Sequence, residues 1–159
     1  MVSMRTLTLA IVAAATLAAQ SDYTGPIPPK ADLPYLLHAS TLVPTEATEA
    51  KQDSKKGATV FSVDGASSSA RTPLAEPIFI IRSEKLNPDK LELYKFEVNK
   101  SRRELTIKDN PGRNDRPLHL SVTKLSKDLY RVEASEPLPN GEYSLSPSGS
   151  NTVFAFQVF

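Results

Sequence analysis

Pro137-Leu138-Pro139-Asn140-Gly141-Glu142-Tyr143-Ser144-Leu145 is the stretch whose reading decides the fold. Two prolines that cannot donate to a sheet ladder are followed by Asn-Gly, then by a tyrosine and a leucine two residues apart, so a sharp corner leads into a new strand. That is the pattern of a tyrosine corner. In immunoglobulin-type sandwiches such a tyrosine bonds through its hydroxyl to backbone just upstream and pins the crossover between sheets. Leu138, Gly141 and Tyr143 are therefore read as structural residues, which explain architecture and assign no activity.

Outward from this corner, β signals recur every 10 to 15 residues, at Pro77 to Arg82, Leu91 to Val98, Arg103 to Lys108, Leu118 to Lys124, Leu129 to Ala134, Gly141 to Ser146 and Thr152 to Val158. Turn residues bound each one, among them Asn87-Pro88-Asp89, Asp109-Asn110-Pro111-Gly112 and Pro147-Ser148-Gly149. Short strands at even spacing without helical periodicity between them predict an all-β chain, an immunoglobulin-like β-sandwich of about seven to nine strands. Ile78-Phe79-Ile80-Ile81 is apolar on both faces and reads as a deeply buried strand. Between Leu91/Leu93 and Tyr94/Phe96/Val98 the apolar phase slips by one residue, which a β-bulge near Leu93-Tyr94 would accommodate.

The N-terminal third is less regular. Arg5 precedes the eleven-residue run Leu7 to Leu17, and small residues at Thr16, Ala18 and Ala19 prepare a cleavage site. Residues 1–20 are thus expected to be a signal peptide, the run being too short for a bilayer that needs about 20 residues. Prolines 26, 28, 29 and 34 favour an extended arm, and residues 42–57, where helix and strand compete, are read as extended and hairpin-paired with Ala58 to Val63. The expected organisation is a signal peptide at 1–20, a Pro-rich arm with an extended segment at 21–57, and a sandwich core at 58–159. Asp64 to Pro73, rich in serine, reads as a flexible loop.

Composition excludes several functions. Removing Arg5 from 19 basic residues leaves 18, equal to the 18 acidic ones, so no whole-molecule attraction to nucleic acid or anionic lipid is expected. No cysteine is present, and with it no disulfide, thiol nucleophile or thiolate metal site. His38 and His119 stand alone, without a metal-ligand pattern, and Ser67-Ser68-Ser69 lacks a nucleophile context. No catalytic, cofactor-binding or metal-ligating set is assigned. Asp109 to Asp115 resembles a calcium loop, but Pro111 takes a ligand position and no closing glutamate follows. Lys100, Arg102, Arg103, Arg113 and Arg116 form a candidate anion-contact patch, with a solvated hairpin surface as the alternative.

Tyr23-Thr24-Gly25-Pro26, Pro34-Tyr35-Leu36-Leu37-His38 and Gly141-Glu142-Tyr143-Ser144-Leu145 together resemble an uncharacterised exported family of Gram-negative environmental bacteria, chiefly acidobacteria. The resemblance spans essentially the whole chain after the signal. It implies an exported β protein and carries no known activity, cofactor or catalytic residue. The resulting expectation is a non-enzymatic periplasmic or secreted module that contacts a protein or an envelope polymer, with no nucleic acid and no membrane span after signal removal. A small outer-membrane barrel, suggested by the terminal Val153 to Phe159, and a hydrolase with residues gathered from distant loops are the alternatives.

Overall fold

The computed structural model describes residues 23–159, and the expected signal peptide at 1–20 lies outside them. The N-terminal strands are β1 (Tyr35–His38), β2 (Thr41–Pro44), β3 (Glu46–Glu49), β4 (Lys51–Lys55) and β5 (Ala58–Asp64). Next come β6 (Arg71–Thr72), β7 (Ile78–Arg82), β8 (Leu91–Lys95), β9 (Glu97–Asn99) and β10 (Arg102–Lys108). The chain ends in β11 (Leu120–Lys124), β12 (Leu129–Ala134), β13 (Gly141–Pro147) and β14 (Thr152–Val158). There is no α-helix among the described residues, only 3₁₀ turns at Pro88–Lys90 and Arg113–Asp115.

Among the described residues, fourteen strands form three sheets, where seven to nine in two were expected. The first sheet has the order β11-β12-β7-β1-β2, the central one β3-β14-β13-β8, and the outer one β4-β5-β10-β9. All pairings along these paths are antiparallel; only the two-residue β6 runs parallel, beside β14. The number of strands rises because the chain bends from sheet to sheet without a loop. Thr45 separates β2 from β3, Ala50 separates β3 from β4, and Phe96 separates β8 from β9. Residues 35–55, grouped by composition with the arm, therefore supply strands to all three sheets. Their last part forms the expected hairpin: Lys55 pairs with Ala58, and Gly57 closes the turn at φ +79, a conformation that costs glycine nothing.

The central sheet is covered on both faces. Towards the first sheet, Leu93, Tyr143, Leu145, Phe154, Phe156 and Val158 pack with Leu36, Phe79, Ile81 and Val132 in one core. Towards the outer sheet, Val153 and Ala155 meet Val63, Phe61 and Leu105, with Ala50 and Phe96 at the bends. This double burial removes the need for a bulge in β8. Leu91 and Leu93 face the first core while Tyr94 and Phe96 face the outer sheet, so regular alternation places apolar residues on both sides. Val98, beyond the bend, is 53% exposed and belongs to neither core.

Two ties hold the start of the described chain. Arg82 donates through Nε to the Pro28 carbonyl at 3.2 Å and through Nη2 to that of Pro29 at 3.1 Å. Asp32 accepts the amides of Glu84, Lys85 and Leu86 at 2.8 to 2.9 Å. Burial raises the Asp32 carboxyl pKa, but these three bonds and nearby Lys85 outweigh it and hold it below the usual range. Ile80 and Tyr35, on the face of β7 and β1 that Arg82 shares, are buried.

Candidate functional site

The corner folds as a tight return. Tyr143 Oη donates to the Pro139 carbonyl at 2.6 Å, and the ring stacks on Phe156 with centroids 5.5 Å apart. Leu138 is buried in the same core and its amide donates to the Ala75 carbonyl. Gly141 lies under Lys95, where a Cβ would stand 2.8 Å from Lys95 Cε.

The next residue in that strand carries a charge into the protein. Glu142 points towards the outer sheet, 3% exposed, and meets Arg103, which is 1% exposed. Arg103 Nη2 donates to Glu46 Oε1 at 2.7 Å and to the Asp64 carbonyl at 2.9 Å, and Nε donates to the Gly65 carbonyl at 2.9 Å. Its Nη1 lies 3.8 Å from Glu142 Oε2. The two carboxylates also hold the serine loop, since Glu142 Oε2 accepts the Ser68 amide and Glu46 Oε2 accepts the Ser69 amide, each at 2.9 Å. The loop that composition marks as flexible is thus pinned by one buried and one partly buried acid. Burial alone would push the Glu46 carboxyl up, but the bonds from Arg103 and Ser69 hold it below the usual carboxylate range.

Arg103 therefore leaves the proposed anion patch: its guanidinium is enclosed and spent on protein oxygens. The other members separate. Lys100 and Arg102 lie on the β9–β10 hairpin, where Arg102 pairs with Glu104 at 3.7 Å. Arg113 and Arg116 line a second cleft with Lys95, His119, Glu136 and Tyr143 beside the corner. His38 Nε2 is buried without a hydrogen-bond partner, and no group of three His, Asp or Glu side chains gathers as metal ligands among the described residues. In the calcium-like loop a lysine takes the cation's place: both Asp115 oxygens accept from Lys108 Nζ at 3.1 Å.

Sequence reasoning missed a cleft on the outer side. The gap between the central and outer sheets is closed at one end by the Arg103 cluster and open at the other as a cleft of about 440 Å³. One wall comes from β5 and β10 and presents Phe61, Leu105 and Ile107, all only half-buried. The opposite wall comes from β8 and β13 and presents Glu92, Tyr94, Ser144 and Ser146. Alternation in β13 makes this division, because Tyr143 and Leu145 turn to the first sheet and leave the serines on the other face.

The polar wall is internally bonded. Tyr94 Oη donates to Glu92 Oε2 at 3.1 Å, and the Ser144 and Ser146 hydroxyls share a bond of 2.6 Å. Burial, then the Glu92 charge and the bond to it, push the Tyr94 phenol up to about 12, so it remains a neutral donor through the physiological range. A half-dry pocket of this size with an apolar side and a few fixed polar groups has the usual make-up of a small-ligand site. Comparison of the chain with protein-family models, characterised proteins and solved structures finds no match, and the cleft is therefore read from its own chemistry.

Proposed function

We propose that the chain is a non-enzymatic exported module, periplasmic or secreted, that binds a component of the cell envelope in the cleft between its central and outer sheets. The single observation that carries this reading is the half-buried apolar strip Phe61, Leu105 and Ile107 facing a fixed polar row across about 440 Å³. A core of this size would ordinarily close on such residues, because covering apolar surface is favourable at roughly 25 cal/mol per Å². Here the Arg103 cluster fills one end of the gap, the other end stays open, and a ligand completes the burial. Export rests on Arg5 and the run Leu7 to Leu17. The immunoglobulin-like reading rests on the tyrosine at the start of β13 and its bond to Pro139.

Retention of envelope material tests the proposal. Immobilised protein should retain an envelope component that Ser146→Phe protein, with a ring filling the cleft, does not. Equal retention by both proteins would refute the cleft as the site. A second reading is favoured by the cleft beside the corner, where Lys95, Arg113, Arg116 and His119 face Glu136 alone among acids in the lining. It suits an anionic envelope group, and Arg113→Glu with Arg116→Glu would then abolish retention while Ser146→Phe would leave it unchanged.

A further inference from the structure

We propose that the ligand of the cleft is a neutral carbohydrate, with the C–H face of a sugar ring against the outer sheet and its hydroxyls against the central one. This deepens the binding reading above and rests on it. The two walls are chemically unlike, and the ligand must match both. Phe61, Leu105 and Ile107 offer apolar surface without a polar partner, while Glu92, Tyr94, Ser144 and Ser146 offer donors and acceptors in fixed positions. Few small molecules carry one apolar face and a rim of hydroxyls; a pyranose does.

The competing chemistries each fail on one wall. An acyl chain would cover the apolar side but strip water from the Glu92 carboxylate and the serine hydroxyls without replacing its hydrogen bonds, which is costly. An anionic ligand would meet the Glu92 and Asp109 carboxylates. Lys108, the one cation in the lining, is already held by both Asp115 oxygens at 3.1 Å. Sugar hydroxyls, by contrast, both donate and accept. They can give a proton to Glu92 and to a serine oxygen and accept one from the other hydroxyls. At the mouth, Gln52, Ser150 and Asn151 extend the same neutral polar surface, so a chain longer than one residue would find continued partners.

The source of the sugar, a free oligosaccharide or a unit of an envelope glycan, shares this chemistry. An amide-resolved NMR titration of the purified protein would test the assignment with five probes. Cellotriose, maltotriose and N,N′,N″-triacetylchitotriose are the neutral sugars, trigalacturonate is the anionic one, and lauric acid is the acyl chain. At least one neutral trisaccharide is expected to shift the amides of Phe61, Tyr94, Leu105 and Ser146 saturably. Ser146→Val should weaken that binding about tenfold by deleting one hydrogen-bonding hydroxyl, and Tyr94→Phe should do the same if the valine variant folds poorly. Competition by envelope glycan fragments, but not by peptide from the same extract, would identify the polymer as the source; competition by neither would assign the free sugar. Shifts with lauric acid or trigalacturonate alone would overturn the carbohydrate assignment, as would no shift with any probe. The cleft-binding reading itself falls only if Ser146→Phe protein still retains its envelope component.

Discussion

The two faces of the central sheet are made by the same four strands and differ in kind. Towards the first sheet, β13 and β14 present Tyr143, Leu145, Phe154, Phe156 and Val158, and these meet Phe79 edge-on at 5.0 Å from Phe156. Towards the outer sheet the same strands present Glu142, Ser144, Ser146, Val153 and Ala155. One face carries large side chains, closes fully and supplies stability. The other is built from small and polar ones, with a buried arginine and two acids at one end. The lesson is that a strand pair can be a core on one side and a frame for a site on the other, at no cost to its ladder.

The comparison breaks first if the packed face tolerates truncation. Phe156→Ala should cost about 3 to 5 kcal/mol in equilibrium denaturation, because a fully buried ring leaves a cavity among neighbours that cannot collapse. A loss under about 1 kcal/mol would mean that this face does not carry the fold. On the opposite face Leu105→Ala should cost clearly less, about 1 to 2 kcal/mol, since its side chain is only half-buried beside open space.

The ion cluster sharpens the contrast. Arg103→Met removes the cation between buried Glu142 and partly buried Glu46 and should cost about 3 to 5 kcal/mol near neutral pH, most of it the penalty of leaving the enclosed Glu142 carboxylate uncompensated. The pH dependence follows from Glu46. Its folded pKa is depressed, so its contribution is present above the unfolded value near 4.5 and is lost as pH falls through the lower folded value. In Arg103→Met the depression shrinks, only the serine-loop bonds remaining against burial, and the gap between variant and parent should narrow on acidification below about pH 4.5. A gap constant from pH 7 to pH 3 would show that Arg103 acts by packing alone. At the corner, Tyr143→Phe should cost about 1 kcal/mol for the bond to Pro139, which thermal and chemical denaturation together can resolve.

Much of the packed face was legible in the sequence. The limits expected for Leu129 to Ala134 and Thr152 to Val158 coincide with β12 and β14, because β12 alternates, β14 carries a short apolar run, and turn residues flank both. The site face was not, for three physical reasons. An arginine in a mixed-charge hairpin reads as surface, and the partner that buries Arg103 lies 57 residues earlier. Serines alternating with Tyr143 and Leu145 read as a solvated face, because nothing local reveals a second sheet above them. The serine loop reads as flexible because the carboxylates that pin it, Glu46 and Glu142, are 23 and 74 residues away from the amides they hold. The bends at Ala50 and Phe96 carry no proline or glycine signal, and Pro44 before Thr45 sits where helix and strand signals compete, so the passage of one chain through three sheets is not legible in the sequence.

Neighbouring residues of β13 allow the central claim, a packed face backed by an open one, to be measured with a single chemical change. Leu145 is fully buried against Tyr143 and Phe156, whereas Ser146 borders the cleft. Replacing each with phenylalanine and comparing equilibrium denaturation midpoints places the same ring on opposite sides of one strand. The account predicts that Leu145→Phe destabilises by about 1 to 3 kcal/mol through overpacking. Ser146→Phe should cost no more than about 1 kcal/mol, the bond to Ser144 being lost while the ring enters existing space. Equal losses from the two substitutions, or a larger one at Ser146, would contradict it.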